Sequence, residues 1–362
     1  MRAKHHSNDI SGQTFHKKVV IRFNDRFAVI RDIGGCLESV TECVLSGGVA
    51  IFSGQSNKYM YSRRWRLSCC TRDGEYRMMN PCLYFNKDVC QLEVLGRMTR
   101  SLPPVSIRGR PWRLFQGYEV IDRESVKGDS YILRKNVETG EYDECQPFSI
   151  LCEIENSGYE DPRVFEYGGR RYVVCVYRGG DGQRCSQNLV MYDMEEKSVL
   201  YLEKKQAFEK NWGFFESESG RLMCVYRVSP LEIGELNMRT GRVEVEYRSS
   251  SGLSGVIGGG SCPVYVERYG VYLGVAHRRM ECVSKERSES WMRYRNFFYT
   301  FEGDPPYRFL KSLSFEIERD SWIEFGTAVV ILGDRLLVSL GVDDVESIVV
   351  EYSLREVFEL LL

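Results

Sequence analysis

The chain has 362 residues, of which 43% are hydrophobic, 12% aromatic and 28% charged, a composition that can fill a sizeable core and argues against extensive disorder. Its net charge of −2 and isoelectric point near 6.2 argue against sequence-independent nucleic-acid binding, because no global basic field attracts a polyanion. No apolar run reaches the roughly 20 residues that a membrane helix needs, and the polar first 17 residues lack the apolar core of a secretory signal.

The thirteen cysteines are scattered, apart from the adjacent pair Cys69-Cys70, and none forms a tight C-x-x-C motif. Several fall in predicted strands, where cysteine behaves as a small buried hydrophobe. We therefore expect reduced thiols and a cytoplasmic location. His5 and His6 lie in the polar N-terminus and are interpreted as solvated side chains, so we expect no metal site.

From Lys18 to Cys70, short runs of alternating hydrophobic residues predict β-strands, with a break at Gly34-Gly35. Further along, a hairpin pattern recurs in which a short anchor precedes an apolar strand, a turn and a second strand. Tyr159 to Arg178 is the clearest copy, because Gly168-Gly169 joins its two strands. The anchors are Asn80-Pro81, Asp161-Pro162, Asn211-Trp212, Cys262-Pro263 and, more weakly, Gly326-Thr327.

The anchors are separated by 81, 50, 51 and 64 residues, and arginines close four of the hairpins at offsets of 17, 17, 16 and 16. These arginines are Arg97, Arg178, Arg227 and Arg278. A period near 50 residues with several strands per unit indicates radial β repetition. We predict an all-β fold, a propeller of five four-stranded blades with almost no helix. Residues 1–17 are expected to be a flexible N-terminus, and residues 18–362 a single domain in which N-terminal strands complete the ring.

Three stretches stand outside the repeat. The interval after Asn80 contains Arg108, Arg110 and Arg113 beside Pro111-Trp112, interpreted either as a solvated loop over a blade edge or as a loop contacting an anionic or sugar ligand. The V-I-G-G-G run at 256–260 lacks the rest of a nucleotide-binding motif and indicates close backbone approach. Residues 281–296 are read as a charged insertion, and residues 354–362 as a short helix.

Equivalent anchors of a propeller converge at the mouth of its channel, and among these anchors only Asp161 is a carboxylate. One acid among amides and arginines suits proton transfer beside a polar or phosphorylated substrate. We predict that Asp161 shares one central pocket with Arg178, Arg227 and Arg278. Alternatively, Asp-Pro is only a turn cap and the arginines form salt bridges at blade edges.

The motifs E-D-P-R-V, E-K-N-W, G-G-G-S-C-P, Y-L-G-V-A-H-R and F-F-Y-T-F-E-G-D-P-P-Y-R, with the closing S-L-G-V-D-D, resemble those of five-bladed carbohydrate-active propellers. These are the β-mannoside phosphorylases and the related β-1,2-mannosyltransferases. The resemblance covers roughly residues 80–352. It implies an inverting reaction at the channel mouth, with Asp161 as acid or base.

The resemblance also implies a set of substrate and phosphate contacts, in which His277 could instead be structural. They are Asn80, Arg97, Glu160, Arg163, Arg178, Lys210, Asn211, Tyr226, Arg227, His277, Arg278, Asp343 and Asp344. The nearby Arg163, Arg178 and Lys210 favour an ionised Asp161. The expected partner is a carbohydrate, and no cofactor is expected beyond a nucleotide-sugar or sugar-phosphate donor, or inorganic phosphate, acting as substrate.

Three classes of function remain open. The first is glycosyl transfer, with mannose implied by the resemblance, from an activated donor to an acceptor hydroxyl. The second is phosphorolysis or hydrolysis of β-glycosides, where inverting hydrolysis needs a second carboxylate that Asp343 or Asp344 could supply. The third is a non-catalytic propeller that binds a glycan or a protein. Transfer ranks first, because the motifs near the C-terminus are more similar to those of the transferases.

Overall fold

The computed structural model describes residues 17–23, 26–33, 36–38, 43–44, 63–67, 76–100, 131–136, 142–144, 158–179, 186–205, 209–284, 289–317, 321, 323–343 and 346–361. The chain divides into two compact units, Met1–Lys58 and Tyr59–Leu362. Strands dominate the described residues, as the sequence predicted. Within those ranges, no helix is long and apolar enough to cross a bilayer.

The first unit contains one small antiparallel sheet. Its strands are β1 (Lys17–Phe23), β2 (Arg26–Ile33), β3 (Cys36–Glu38) and β4 (Cys43–Val44). Strand β2 pairs with each of the other three. The strands expected at 19–23 and 27–33 are therefore present, and the run expected at 48–52 lies outside the described residues. That residues 18–362 form a single domain stays a prediction, as does the flexible N-terminus.

The second unit consists of antiparallel sheets that follow one another along the chain. The first contains β6 (Tyr76–Asn86), β7 (Gln91–Arg100), β8 (Tyr131–Asn136) and β9 (Tyr142–Glu144). The next contains β10 (Gly158–Tyr167), β11 (Arg170–Gly179), β12 (Ser186–Asp193) and β13 (Val199–Leu202). It is followed by β14 (Gly213–Glu216), β15 (Leu222–Val228), β16 (Leu231–Asn237) and β17 (Arg242–Ser249).

The fourth sheet of this unit has a split inner edge. It contains β18 (Val256–Gly259), β19 (Val264–Val266), β20 (Val271–Ser284), β21 (Glu289–Glu302) and β22 (Phe309–Phe315). Both β18 and β19 pair with β20. Residues 281–284 and 289–296 therefore extend a hairpin, with Ser284 paired to Glu289, instead of forming the separate insertion that the sequence suggested.

The last sheet joins the two ends of the second unit. It contains β23 (Glu324–Leu332), β24 (Arg335–Val342), β25 (Glu346–Ser353) and β5 (Arg63–Arg66). Strand β5 is antiparallel to β25 and lies at the sheet edge. The C-terminal helix α1 (Leu354–Leu361) follows, as predicted, and buries Val357 and Phe358.

Buried side chains form clusters that each join two successive sheets. Phe214 and Trp212 pack with Val174 and Met191 of the preceding sheet, and Val330 of the last sheet packs with Leu83 of the first. This pattern arises because alternate residues of a strand face opposite sides of its sheet. The described residues thus have an all-β, propeller-like arrangement with one α-helix. Four of the sheets in the second unit have four strands, as predicted for a blade, while the β18–β22 sheet has five.

Candidate active site

Three of the anchors lie at bulges in the first strand of their sheets, β6, β10 and β23. Asn211-Trp212 directly precedes β14, and Cys262-Pro263 lies between β18 and β19. Asp161 and Pro162 oppose a single residue of β11, because the register passes from Glu160 opposite Val176 to Arg163 opposite Val174. The same bulge places Asn80-Pro81 opposite Gly96 of β7, between Met79 and Cys82. Proline suits these positions because it has no N–H to donate to the ladder. A bulge bends the strand and redirects a side chain, which is a common arrangement beside functional sites.

Three anchors share a left-handed backbone. The φ angles are 46° at Asn80, 52° at Asp161 and 67° at Asn211. Asparagine and aspartate adopt this conformation more readily than other residues with a Cβ atom. The repeated sequence frame therefore corresponds to a repeated backbone geometry.

Asp161 is 4% exposed and lies among donors and cations from neighbouring sheets. Asn80 Nδ2 donates a 2.6 Å hydrogen bond to Asp161 Oδ1. Arg97 Nη1 lies 3.8 Å from the same oxygen. On the other side, Lys210 Nζ lies 4.0 Å from Oδ2. The two carboxylate oxygens are therefore in different environments, one engaged by the β6–β9 sheet and one beside Lys210.

The charge state of Asp161 follows from two opposing effects. Burial by itself would raise the pKa of the Asp161 carboxyl. The positive charges of Lys210, Arg97 and Arg163, together with the Asn80 hydrogen bond, outweigh burial and hold this pKa below its usual value. Asp161 is consequently ionised at neutral pH, as the sequence predicted.

Arg163 connects three sheets from a fully buried position, with 2% of its surface exposed. Its Nη1 donates to the Asp161 carbonyl oxygen at 2.9 Å, and its Nη2 donates to Asn211 Oδ1 at 2.8 Å. Its Nε donates to the carbonyl oxygen of Gly260, and its guanidinium lies 5.6 Å from the centre of the Phe325 ring. Since all three nitrogens are engaged within the protein, Arg163 fixes the anchors.

Tyr226 lies on β15 of the neighbouring β14–β17 sheet, and Lys210 lies in the residues that precede this sheet. The Lys210 side chain is 43% exposed and reaches towards Asp161. The Tyr226 hydroxyl donates to the Glu209 carboxylate, and its ring lies 5.0 Å from the Trp212 ring. Tyr226 is therefore tied to the loop that carries Lys210.

His277 lies on β20, with 6% of its surface exposed, and is near enough to Asp161 for that carboxylate to influence its pKa. Its ring stacks on Tyr294 at 5.2 Å and meets the edge of Phe325 at 4.9 Å. Burial, helped by the positive charges of Lys210 and Arg163, lowers the pKa of His277 to about 3. The imidazole is neutral at physiological pH, so any contact it makes with an anion uses an N–H group and no full charge.

Glycines allow this close packing. A Cβ atom on Gly258 would lie 2.5 Å from His277 Nε2, and one on Gly259 would lie 2.2 Å from the carbonyl oxygen of Asn211. The glycine run at 256–260 thus serves close backbone approach, as the sequence indicated, because larger residues would displace the His277 ring or the Asn211 anchor.

The remaining candidates occupy varied positions. Arg227 Nε lies 3.7 Å from Glu232 on its own sheet, and the Arg278 stem lies against Gly255. Arg178 pairs through its backbone with Gly158, and its side chain is outside the described set. Asp343 accepts a 2.8 Å hydrogen bond from the Ile323 N–H.

Some predicted features fall outside the described residues. These are Asp344 and the 101–130 stretch with Arg108, Arg110, Pro111, Trp112 and Arg113. The convergence of Asp161 with Arg178, Arg227 and Arg278 on one pocket stays a prediction.

Two groups that contact the site residues were not predicted from the sequence. Phe325 packs against both His277 and Arg163, and the Gly260 carbonyl accepts from Arg163. The hairpin repeat could have indicated Phe325, because Phe325 precedes the Gly326 anchor just as Glu160 precedes the Asp161 anchor. A backbone carbonyl leaves no comparable signal in the sequence.

No protein-family model matches this sequence, and no curated protein does either. Solved structures do resemble it in fold. A GDP-Man-dependent mannosyltransferase from Leishmania mexicana aligns with a TM-score of 0.59 and 12% identity over 81% of this chain and 89% of that one. A mannose phosphorylase from Leishmania mexicana, in complex with phosphate ion, aligns with a TM-score of 0.52 and 12% identity over 77% and 84%. At this level of identity, the similarity concerns the fold.

Proposed function

We propose that the protein is a carbohydrate-active enzyme that transfers a glycosyl group, mannosyl in the first instance, to an acceptor hydroxyl with inversion. The donor is a nucleotide sugar or a sugar phosphate, and Asp161 acts as the base. No separate cofactor takes part. The observation that carries this proposal is the buried, ionised Asp161 in a strand bulge, with Asn80 on one oxygen and Lys210 beside the other.

The two oxygens of Asp161 suit different tasks. Oδ1 is engaged by Asn80 and Arg97, which leaves Oδ2 as the oxygen that takes the proton of the acceptor hydroxyl. The acceptor oxygen then bonds to the anomeric carbon, while the bond from that carbon to the donor phosphate breaks. The electron pair leaves with the phosphate, and in this proposal Lys210 and Arg278 neutralise its charge.

The charge on Asp161 favours transfer over its reverse. A carboxylate with a lowered pKa accepts a proton at neutral pH, whereas phosphorolysis needs a protonated acid that donates one. Hydrolysis would need a second carboxylate to activate water. Asp343, one of the two predicted candidates, already accepts a hydrogen bond from the Ile323 backbone, and the other, Asp344, lies outside the described residues.

We further propose that the β6–β25 sheets, with β5, form a ring of five blades in a cytoplasmic protein. Contacts support this arrangement, because the inner strands touch in order from β6 to β10 and β14, and β23 touches both β20 and β6. Such a ring would bring the anchors to one channel mouth, where Arg178, Arg227, Arg278 and the 101–130 stretch could reach the donor.

The test incubates the protein with nucleotide-mannose and mannose 1-phosphate donors and mannoside acceptors, and follows product and its anomeric configuration. Asp161→Asn should lower kcat by about 10² to 10⁴, because the amide nearly preserves shape but cannot accept the proton. Asp161→Asn activity within a few-fold of wild type would remove Asp161 from the mechanism.

Asp193→Asn is the matched control. Asp193 is also buried, with a lowered pKa, but it lies at the turn end of the same sheet, opposite Tyr172. Its substitution should leave turnover unchanged. Faster phosphorolysis than synthesis at neutral pH would favour the phosphorylase alternative, and glycan binding without turnover would favour a binding module.

A further inference from the structure

Arg97 contacts two consecutive carboxylates on the neighbouring sheet. Its Nη2 lies 2.7 Å from Glu160 Oε1, and its Nη1 lies 3.8 Å from Asp161 Oδ1. The Arg97 side chain is 17% exposed, and each carboxylate side chain is 5% exposed. One guanidinium therefore spans both acids across the contact between β7 and β10.

The bulge makes this arrangement possible. In a regular strand, consecutive side chains point to opposite faces of the sheet. At Asp161 the left-handed φ of 52° and the extra residue break that alternation. Glu160 and Asp161 can thus meet the same guanidinium.

We propose that Glu160 is a positioning residue that holds Arg97 against Asp161, so that Arg97 orients the base and does not bind the donor phosphate. This inference rests on the proposed function, since it takes Asp161 as the base. It differs from the assignment that the sequence resemblance implies, in which both Glu160 and Arg97 contact substrate.

The local charges determine what each substitution should do. Asp161 is surrounded by Asn80 and Arg97 of the first sheet, Glu160 and Arg163 of its own strand, Lys210 and the neutral His277. Removing Arg97 leaves Glu160 as a buried charge without that partner, next to Asp161. Breaking a buried ion pair from one side is strongly unfavourable, and a like charge raises the pKa of a neighbouring carboxyl. Removing Glu160 as well removes both the unpaired buried charge and its effect on the pKa of Asp161.

The experiment is a double-mutant cycle of Arg97→Met, Glu160→Gln and the combined variant. It measures kcat, donor KM, the acidic limb of the pH profile and thermal unfolding. Arg97→Met should lower kcat about tenfold and move the acidic limb up by about one pH unit, with donor KM nearly unchanged. The combined variant should recover part of the lost kcat and reverse part of the shift of the acidic limb, which would show that Arg97 and Glu160 are coupled.

The conservative Arg97→Lys should shift the limb less than Arg97→Met, because its ammonium keeps the charge but cannot span both acids. It also serves if Arg97→Met fails to fold. The control is the exposed Lys87–Glu166 pair between the same two sheets, at 2.5 Å. The cycle of Lys87→Met and Glu166→Gln should change kcat less than about twofold and leave the pH of the acidic limb nearly unchanged.

A tenfold rise in donor KM at unchanged kcat and unchanged acidic limb in Arg97→Met would overturn the proposal, as would purely additive effects in the cycle. The ionisation of Asp161 can also be followed by ¹³C NMR of its carboxyl carbon, a measurement that needs no turnover. The signal of this carbon is assigned by its loss in Asp161→Asn. The midpoint of its titration should rise in Arg97→Met and return in the combined variant. If the wild-type protein shows no turnover but the titration behaves as expected, that result therefore counts against the proposed function alone.

Discussion

The Asn80 amide donates to Asp161 Oδ1 and brings no charge of its own to the buried carboxylate. Asn80→Asp would place a second carboxyl at the 2.6 Å separation. Two carboxylates this close share a proton, and one of the two apparent pKa values rises strongly. We expect the acidic limb of kcat/KM for transfer to move up by roughly one to two pH units. The measurement is the pH profile of initial rates.

The control for this prediction is Asn80→Ala, which removes the donor without adding charge. Since the Asp161 pKa is held low in the folded protein, activity that depends on the ionised form is present above that pKa and is lost as pH falls through it. Asn80→Ala should shift that loss to higher pH by less than Asn80→Asp. Equal shifts in the two variants would contradict the dyad argument.

At the residue scale, the sequence predicted the anchors well and their neighbours poorly. Asn80, Asp161 and Asn211 were recognised because they occupy one position of a repeat, and all three share a left-handed φ. The engagement of Arg163 with two backbone carbonyls could not be predicted. Such contacts depend on how the sheets pack, and packing leaves no local pattern.

The strand bulges also join sheets to one another. Thr327 occupies the bulge of β23, between Gly326 and Ala328. Its hydroxyl donates to the Pro81 carbonyl in the β6 bulge, and it also lies 3.1 Å from the Ser339 carbonyl. Thr327 is fully buried. Two bulges from opposite ends of the chain thus meet through one hydroxyl group.

We predict that Thr327→Val destabilises the protein by about 1–3 kcal/mol, because it leaves a buried carbonyl without its donor while preserving side-chain volume. The measurement is chemical denaturation. Thr300→Val is the control, since Thr300 is equally buried but makes a longer, 3.4 Å bond within one sheet. Equal losses of stability in both variants would mean that the Thr327 hydroxyl does not join the two sheets.

At the scale of elements, the hairpins were predictable because turn residues punctuate alternating strands. The turn at Gly168-Gly169 lies where the sequence placed it. The split of the fourth sheet's inner edge into β18 and β19 was not predicted. It arises where Gly259 and Gly260 approach the backbone of other sheets, a constraint that the repeat does not encode.

For the whole molecule, the two compact units allow a prediction from truncation. A chain that begins at residue 59 keeps β5, and with it the partner of β25 and the buried Leu67. We expect it to keep the melting behaviour of the second unit. A chain that begins at residue 68 exposes the β25 edge, and unpaired edges promote association.

Thermal melts and size-exclusion chromatography check this prediction. The shorter chain should melt at lower temperature and form larger species. Identical behaviour of the two truncated proteins would show that β5 does not protect the last sheet.

The propeller-like architecture could be anticipated from the sequence because anchor spacing is a property of the whole chain. The participation of β5 was expected only in general form, as N-terminal strands that complete a ring. The run at 59–67, which contains Arg63–Arg66, was predicted as a strand. Its pairing with β25 could not be predicted, since a strand with three arginines carries no local signal for its partner.

The pairing of β5 with β25 also sets an order of events during synthesis. Arg63–Arg66 leaves the ribosome long before its partner, Glu346–Ser353, is made. Contacts between residues so distant in sequence form slowly, because a long loop must close first. The last sheet cannot be completed until Glu346–Ser353 has been translated, so nascent chains halted before residue 346 would carry β5 without β25.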